Sequence, residues 1–299
     1  MEGKTIIITG ANAGIGMETA LDLVRRGGRV IMACRNLGKA EVARDKILQE
    51  SGKCEEAVVI KQLDLSSLQS IRKFASDINA TENRIDVLVN NAGLMLPPET
   101  TTMDGFEAQV GVNHLGHFLL VNLLLDLLKR SAPSRIVVVA SEAHRIGNPR
   151  INWEDINCGI GLDIYCASKL MNILFARELS DRLKGLFNLL SLHFNSLHPG
   201  VIRSGLWYHM HDQNISVWRS LLHSMMRPMM NMFWKSPPYG AQTTIFCCVA
   251  PELHNVSGKY FSDCAVAFES AAAKSKQDAV RLWNISEKLV SLNGTESFA

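Results

Sequence analysis

Two residues whose types and spacing could perform acid–base chemistry are Tyr165 and Lys169. Apolar residues recur at helical spacing from Ala167 to Ala176, which predicts that this stretch opens a helix. Side chains four residues apart lie on the same face of a helix. Tyrosine has a pKa of about 10 in water, and a neighbouring ammonium lowers that pKa by favouring the phenolate. The pair is therefore a candidate proton-transfer device, although an isolated spacing of this kind more often marks two surface residues.

Composition and charge argue against several classes of protein. The chain has 299 residues, of which 47% are hydrophobic and 20% charged, as expected for one large α/β domain. A net charge of +2 provides no basic footprint for nucleic acid. Seven cysteines without a C-x-x-C pair or a zinc-type cluster predict a reducing intracellular compartment and no metal site. Because the N-terminus leads directly into a strand and no window offers about 18 uninterrupted apolar residues, we expect neither a signal peptide nor a transmembrane segment.

A glycine-rich turn follows the first predicted strand, residues 5–9, and precedes residues 17–26, which have helical spacing. In that setting glycines let the backbone approach a pyrophosphate, and the helix N-terminus supplies N–H donors. A tight turn without a ligand is the alternative interpretation. The residues expected to contact a dinucleotide here are Gly10, Ala11, Asn12, Ala13, Gly14, Ile15 and Gly16.

The end of the second predicted strand, residues 29–33, carries a basic residue where NAD-binding proteins have an acid. Arg35 and Asn36 stand there, after Cys34. An arginine at this point suits a 2′-phosphate and favours NADP(H) over NAD(H), whereas a solvated arginine at a strand end is the alternative. Asn36 is also a predicted N-cap for a helix over 37–50.

Two further strands are predicted at 57–60 and 86–89. The first is followed by Asp64 and Leu65, and Asp64 either lies near an adenine or caps the helix over 67–79. The second leads into the small polar turn Asn90–Gly93, in which Asn91, Ala92 and Gly93 could approach the dinucleotide. Alternating strands and helices predict a doubly wound parallel sheet of the Rossmann type, with helices on both faces.

The second half of the chain supplies further polar residues. A helix over 106–129 would bury Asn113, whose amide should then hold a water or a backbone group beside the site, or be a satisfied structural residue. His114 and His117 on the same helix are interpreted as surface or packing residues. A strand over 135–141 would end in Ser141, with its hydroxyl in the ligand crevice. We expect an irregular loop over about 143–161.

Beyond a sixth strand at about 190–197, the break at Pro199 and Gly200 turns the chain, and Ser204 could reach the far end of a cofactor. The segment 206–235 is rich in methionine and tryptophan with interleaved basic residues. Its pattern favours an apolar helical lid that binds a long substrate and contacts a membrane surface, and a core or dimer-facing helix is the alternative. Helices are predicted over 239–249 and 277–292.

Taken in order, these motifs resemble the classical short-chain dehydrogenase/reductase family. The strings Gly111–Leu120, Ser257–Phe261 and Arg281–Trp283 are similar to its retinol dehydrogenase subgroup. The motifs that carry the family resemblance are Thr9-Gly10-x-x-x-Gly14-x-Gly16, Asp64-Leu65, Asn90-Asn91-Ala92-Gly93, Asn113, Ser141, Tyr165-x-x-x-Lys169 and Pro199-Gly200.

The resemblance implies a role for each site residue. Tyr165 would exchange a proton with the substrate oxygen. Lys169 would lower the pKa of Tyr165 and bind the nicotinamide ribose. Ser141 would hydrogen-bond the substrate oxygen, and Asn113 would hold a water in a proton relay. The residues implied to border the nicotinamide are Pro199, Gly200, Val201 and Ser204.

The sequence therefore predicts a single domain over 1–299. Its activity would be the NADP(H)-dependent interconversion of an apolar alcohol and its aldehyde or ketone, with retinol and retinal as the first choice. The resemblance also implies peripheral membrane contact, at the endoplasmic reticulum or mitochondrion, and leaves a homodimer open. A steroid or lipid-derived aldehyde is the alternative substrate. A catalytically weak NADP(H)-binding sensor or scaffold is the alternative of another class.

Overall fold

Strands and helices alternate along most of the chain. This computed structural model describes residues 1–97, 100–145, 150–159, 161–190 (backbone alone over 185–190), 192–200 and 235–292. The strands are β1 (Thr5–Thr9), β2 (Arg29–Cys34), β3 (Val58–Gln62), β4 (Val87–Asn90), β5 (Ser134–Val139), β6 (Leu192–His198), β7 (Lys259–Ser262) and β8 (Ala265–Val266). The helices are α1 (Gly14–Arg25), α2 (Leu37–Ser51), α3 (Leu68–Thr81), α4 (Ala108–Arg130), α5 (Gly161–Leu190), α6 (Pro237–Val249) and α7 (Lys276–Leu289).

The strands form one sheet in the order β3-β2-β1-β4-β5-β6-β7-β8. Every neighbouring pair from β3 to β7 is parallel, and β8 is antiparallel to β7. The order reverses between β1 and β4, so the predicted doubly wound Rossmann-type sheet is confirmed. In such sheets ligands bind at the carboxyl ends of the strands beside that reversal.

Both faces of the sheet are buried, which explains the uninterrupted apolar runs of the central strands. Successive side chains of a strand point to opposite faces. Ile7 accordingly packs in one core cluster with Phe118 and Trp283, while Ile6 and Ile8 pack in a second cluster on the other face.

Side-chain caps fix the starts of two helices at the carboxyl edge of the sheet. The Asn36 side-chain Oδ1 accepts from Lys39 N at 2.9 Å, so the predicted cap of α2 is confirmed. The cap of α3 is Ser67, whose hydroxyl accepts from Ser70 N at 3.2 Å. Asp64 instead accepts from Ser66 N at 2.9 Å, so the cap alternative for Asp64 is wrong.

Several predicted boundaries differ from the structure. The fifth strand ends at Val139 rather than 141, and a 3₁₀ turn over Glu142–Arg145 replaces the start of the predicted loop. The chain turns there because the Ser141 hydroxyl accepts from Ala143 N at 3.1 Å. The long helix begins at Ala108 and contains a π turn over Gly111–Leu115. The strands β7 and β8, of four and two residues, extend the sheet beyond β6 and were not predicted.

One described helix, α4, is long and apolar enough to cross a membrane by length and composition, although no such segment was expected. In its most apolar window, 89% of the residues are buried inside the domain, against α3, α5 and the sheet. The apolar character of α4 is therefore accounted for by the core.

Part of the predicted substrate region lies outside the described residues. Val201, Ser204 and the predicted lid over 206–235 fall there, except for Lys235 at its end. Lys235 forms an ion pair with Asp263.

Candidate active site

The glycine-rich loop between β1 and α1 is held tightly against the turn after β4. Gly10 has a φ of +65°, a backbone conformation that favours glycine. A Cβ at Gly16 would lie 2.5 Å from both Asn91 Nδ2 and Gly10 O, so only glycine fits there. Asn91 Nδ2 also donates to Thr9 O at 2.8 Å. Asn91 thus fixes the shape of the loop.

The N-terminus of α1 has the properties of an anion site. Within the described chain no side chain caps this helix, and its first turn carries no acidic residue. A Cβ at Gly14 would meet no described atom within 4 Å, which leaves open space beside the first turn. Free N–H donors and the positive end of the helix dipole favour a negative group in that position. The loop and helix therefore fit the pyrophosphate of a dinucleotide.

The end of β2 is joined to the same loop. Gly10 N donates to Ala33 O at 2.9 Å. Burial raises the pKa of the Cys34 thiol to about 11, against the opposing effect of backbone N–H groups of Ala11 and Asn12. Arg35, the next residue, is exposed. The structure therefore brings Arg35 to the edge of the loop.

Ser141, Tyr165 and Lys169 come together at the carboxyl end of β5. Tyr165 lies in the second turn of α5 and is only 7% exposed. The Ser141 hydroxyl stands beside the Tyr165 phenol and acts to lower the pKa of that phenol. The Lys169 ammonium is 5.7 Å from the centroid of the Tyr165 ring and donates to Val139 O at 3.2 Å. The three predicted catalytic groups thus form one cluster.

Burial controls the protonation of this cluster. It raises the pKa of Tyr165 to about 12, and the Ser141 hydroxyl opposes that rise. It lowers the pKa of Lys169 to about 8. In the cofactor-free chain the net shift of the Tyr165 pKa is upward, because desolvation of the phenolate dominates, and the lowering of this pKa by Lys169 stays a prediction. Tyr165 is a neutral phenol at physiological pH and has a proton to give.

Asn113 is fully buried and holds backbone groups with its side chain. Its Oδ1 accepts from Leu94 N at 2.7 Å, and its Nδ2 donates to Leu94 O at 2.9 Å. The same Nδ2 donates to the Ser168 hydroxyl at 3.0 Å, which donates to Tyr165 O at 2.8 Å. The predicted partner of the Asn113 amide was a water or a backbone group, and in the structure it is the backbone of Leu94. Asn113 thereby ties the segment after β4 to the helix that carries Tyr165.

Gly93 provides the close approach between Asn113 and Lys169. A Cβ at this position would lie 3.3 Å from Asn113 Oδ1 and 3.3 Å from Lys169 Nζ. Ala92 packs against the loop, since a Cβ at Gly10 would lie 3.1 Å from its Cα. The predicted turn residues therefore lie between the glycine-rich loop and the cluster of Ser141, Tyr165 and Lys169.

The remaining predicted residues lie around the same edge of the sheet. Asp64 is half-buried just beyond β3, and Leu65 is buried against Gly116 of α4. Pro199 and Gly200 follow β6 directly, and Gly200 has a φ of +94°.

A buried amide that was not predicted, Gln109, clamps the segment after β4 to the start of α5. Gln109 Oε1 accepts from Leu96 N at 3.0 Å, and its Nε2 donates to Gly161 O at 3.2 Å. Leu96 has a φ of +50°, a strained value for a side chain of this kind. A polar residue among apolar helical neighbours is the signal that drew attention to Asn113, and Gln109 carries it as well.

The surroundings of Tyr165 are apolar. Met95, Ala143 and Cys166 form a buried cluster with it, and Leu96 packs against that cluster. Such surroundings suit an apolar group next to the reacting oxygen.

Comparison with known proteins agrees with this architecture. The family model for short chain dehydrogenases matches residues 4–215. The chain therefore belongs to the short chain dehydrogenase family.

Similar sequences narrow the assignment. Retinol dehydrogenase 14 of Mus musculus is 45% identical, over 98% of this chain and 87% of its own length. Retinol dehydrogenase 13 of Mus musculus is 47% identical, over 97% of this chain and 84% of its own length. The chain falls in the retinol dehydrogenase-like subgroup and is an NAD(P)-dependent oxidoreductase acting on CH–OH groups.

Solved structures share the fold. A protein of Mycobacterium paratuberculosis has a TM-score of 0.73 and 32% identity, covering 98% of this chain and 95% of its own. A short chain dehydrogenase of Shigella flexneri, solved as a complex with NADP, has a TM-score of 0.63 and 24% identity. That second likeness covers 87% of this chain and 97% of the Shigella protein.

Proposed function

We propose that the chain interconverts an apolar alcohol and its aldehyde or ketone with NADP(H), and that retinol and retinal are its leading substrate pair. The observation that carries this proposal is the cluster of Ser141, Tyr165 and Lys169. Its two hydroxyls stand beside each other at the carboxyl end of β5, where both could bind one substrate oxygen. The cluster stands at the edge of the sheet where the glycine-rich loop would hold a dinucleotide.

The roles of the side chains follow from their environments. When bound, the nicotinamide supplies the hydride for reduction of the carbonyl carbon and accepts it for the reverse reaction. Tyr165 gives its phenolic proton to the substrate oxygen in the reduction and takes it back in the oxidation. The Ser141 oxygen accepts from Ala143 N, which leaves its own proton free to hydrogen-bond the substrate oxygen. Lys169 then stabilises the phenolate that remains.

The preference for NADP(H) rests on Arg35. It follows the last residue of β2, beside the loop, and its guanidinium suits a 2′-phosphate. The Shigella protein, which shares the fold, binds NADP. We assign Asp64 and Leu65 to the adenine side of the crevice, and Pro199, Gly200, Val201 and Ser204 to the nicotinamide side.

The apolar substrate is supported by the cluster around Tyr165 and by the names of the related enzymes. The segment 206–235 would cover the substrate as a lid and contact a membrane peripherally, in a reducing intracellular compartment. A homodimer is compatible with this proposal.

The experiment compares two cofactors and three substrates in every combination. NADPH and NADH are each combined with retinal, a steroid ketone and a medium-chain aldehyde, and kcat/KM is measured for every combination. The proposal expects the highest value for NADPH with retinal. A higher kcat/KM for the steroid ketone or the medium-chain aldehyde would show that retinal is not the preferred substrate. Binding of NADPH without turnover of any carbonyl would instead favour a sensor or scaffold.

A further inference from the structure

The buried side chain of His117 joins two parts of the site that are far apart in sequence. Its Nε2 lies 2.9 Å from the Thr9 hydroxyl, at the start of the glycine-rich loop. Its Nδ1 lies 3.2 Å from the backbone oxygen of Asn113. His117 is 2% exposed, so neither ring nitrogen depends on bulk water.

Counting protons fixes the direction of both hydrogen bonds. The Thr9 hydroxyl oxygen accepts from Asn91 N and from Ala92 N, each at 2.9 Å. These two bonds occupy both of its lone pairs, so the hydroxyl must donate its own proton. His117 Nε2 at 2.9 Å is a closer acceptor than Val89 O at 3.4 Å. Nε2 is therefore the acceptor, and Nδ1 carries the proton that is donated to Asn113 O.

The same count requires a neutral imidazole. A charged ring would present an N–H to the Thr9 hydroxyl, which has no lone pair left to accept it. Burial also lowers the pKa of His117 to about 4, in agreement with this requirement. The ring is thus a neutral link with one defined tautomer.

Each end of the link belongs to the functional site. At the Thr9 end, the hydroxyl holds the turn at Asn91 and Ala92, and Asn91 holds the glycine-rich loop. At the other end, Asn113 binds Leu94 and Ser168 with its side chain. Asn113 stands in the π turn of α4, a departure from regular helix that is frequent at functional sites.

We propose that His117 is a positioning residue, which sets the dinucleotide loop through Thr9 and the catalytic helix through Asn113. It rests on the proposed function, since it describes how the parts of that site are aligned. His117 does not itself touch the substrate oxygen or exchange a proton with it.

Three substitutions separate the two ends of the link. His117→Asn places an amide N–H near the position of Nδ1 and keeps a donor for Asn113 O. His117→Gln places an amide oxygen near the position of Nε2 and keeps an acceptor for Thr9. His117→Leu removes both partners. The measurements are kcat with NADPH and retinal, and the Kd of NADPH alone by fluorescence titration.

We expect kcat and the Kd of NADPH to respond differently to the three substitutions. His117→Leu should lower kcat roughly tenfold or more and raise the Kd of NADPH several-fold, because small misplacements of catalytic groups are costly. His117→Asn should recover most of kcat, and His117→Gln should recover most of the NADPH affinity. His114→Leu, an equally buried histidine on the same helix that bonds Ser286, is the matched control and should leave the NADPH Kd unchanged.

Equal losses in all three His117 variants, or the same loss in His114→Leu, would overturn the proposal in favour of simple packing. Wild-type chain that neither binds nor oxidises NADPH would refute the proposed function instead. In that event the link is tested by the melting temperatures of Thr9→Val, His117→Leu and the double variant. A melting-temperature shift of the double variant that is smaller than the sum of the two single shifts supports the link. A double-variant shift equal to that sum contradicts it.

Discussion

The ammonium nitrogen of Lys169 donates a hydrogen bond to the backbone oxygen of Val139, at 3.2 Å. Asn172, one turn further along α5, donates to the same oxygen at 3.4 Å. Val139 is the last residue of β5, and Ser141 follows two residues later. The helix that carries Tyr165 and Lys169 is thereby fastened to the strand that presents Ser141, which accounts for the assembly of the three groups.

The buried ammonium of Lys169 predicts a pH dependence of stability. Its folded pKa is about 8, below the ordinary value of 10.5. Between these values the unfolded chain binds more protons, so the free energy of unfolding rises with pH. The stability linked to neutral Lys169 is complete above the unfolded pKa and is lost as the pH falls through about 8. Relative to Lys169→Met, cofactor-free wild type should gain about 2 kcal/mol between pH 8 and about pH 9.5, measured by urea unfolding.

Lys39→Met provides the control, because Lys39 is exposed on α2. It should follow the wild-type pH profile. If the free energy of unfolding depends on pH in the same way for wild type and Lys169→Met, burial does not lower the pKa of Lys169.

Gln109→Leu tests the clamp between the segment after β4 and the start of α5. The substitution leaves Leu96 N and Gly161 O without their partner, and Leu96 is then free to leave its strained backbone conformation. We expect a loss of about 2 kcal/mol in the free energy of unfolding and a higher KM for the carbonyl substrate. The control is Gln62→Leu at an exposed position of β3. A stability loss with an unchanged KM would show that the clamp does not shape the substrate entrance.

Arg35→Ala tests the preference for NADP(H). Removing a charge-assisted hydrogen bond to the 2′-phosphate should raise the KM of NADPH by roughly tenfold to a hundredfold. The KM of NADH should change little, because NADH has no 2′-phosphate. Arg44→Ala, at a half-buried position of α2 where the guanidinium pairs with Asp45, should leave both values unchanged. Equal effects on NADPH and NADH would remove Arg35 from the phosphate site.

Much of the fold was predictable because its signals are local. The runs in β1 to β5, the glycine spacing and the cap at Asn36 are each read from a few neighbouring residues, although the end of β5 differs from the prediction. The proximity of Ser141, Tyr165 and Lys169 was also predictable, since these residues stand at a strand end and on one helix face.

Other features depend on contacts that no local pattern contains. Thr9 and His117 are 108 residues apart, and their bond requires α4 to pass behind the loop after β1. The pKa of Tyr165 depends on how deeply the phenol is buried, whereas the sequence shows only that a lysine is near. Residues 259–262 form the strand β7 because they pair in parallel with the edge of β6, where Asn195 lies opposite Lys259.

A comparison of Tyr165→Phe with Tyr239→Phe tests the proton donor most directly. Tyr239 is 73% exposed on α6, so Tyr239→Phe is the control that also removes a phenolic hydroxyl. We expect Tyr165→Phe to lower kcat for retinal reduction by at least about a hundredfold, while the Kd of NADPH stays within about threefold of wild type. Tyr239→Phe should retain the wild-type rate. A Tyr165→Phe variant as fast as wild type would contradict the assignment of the proton donor.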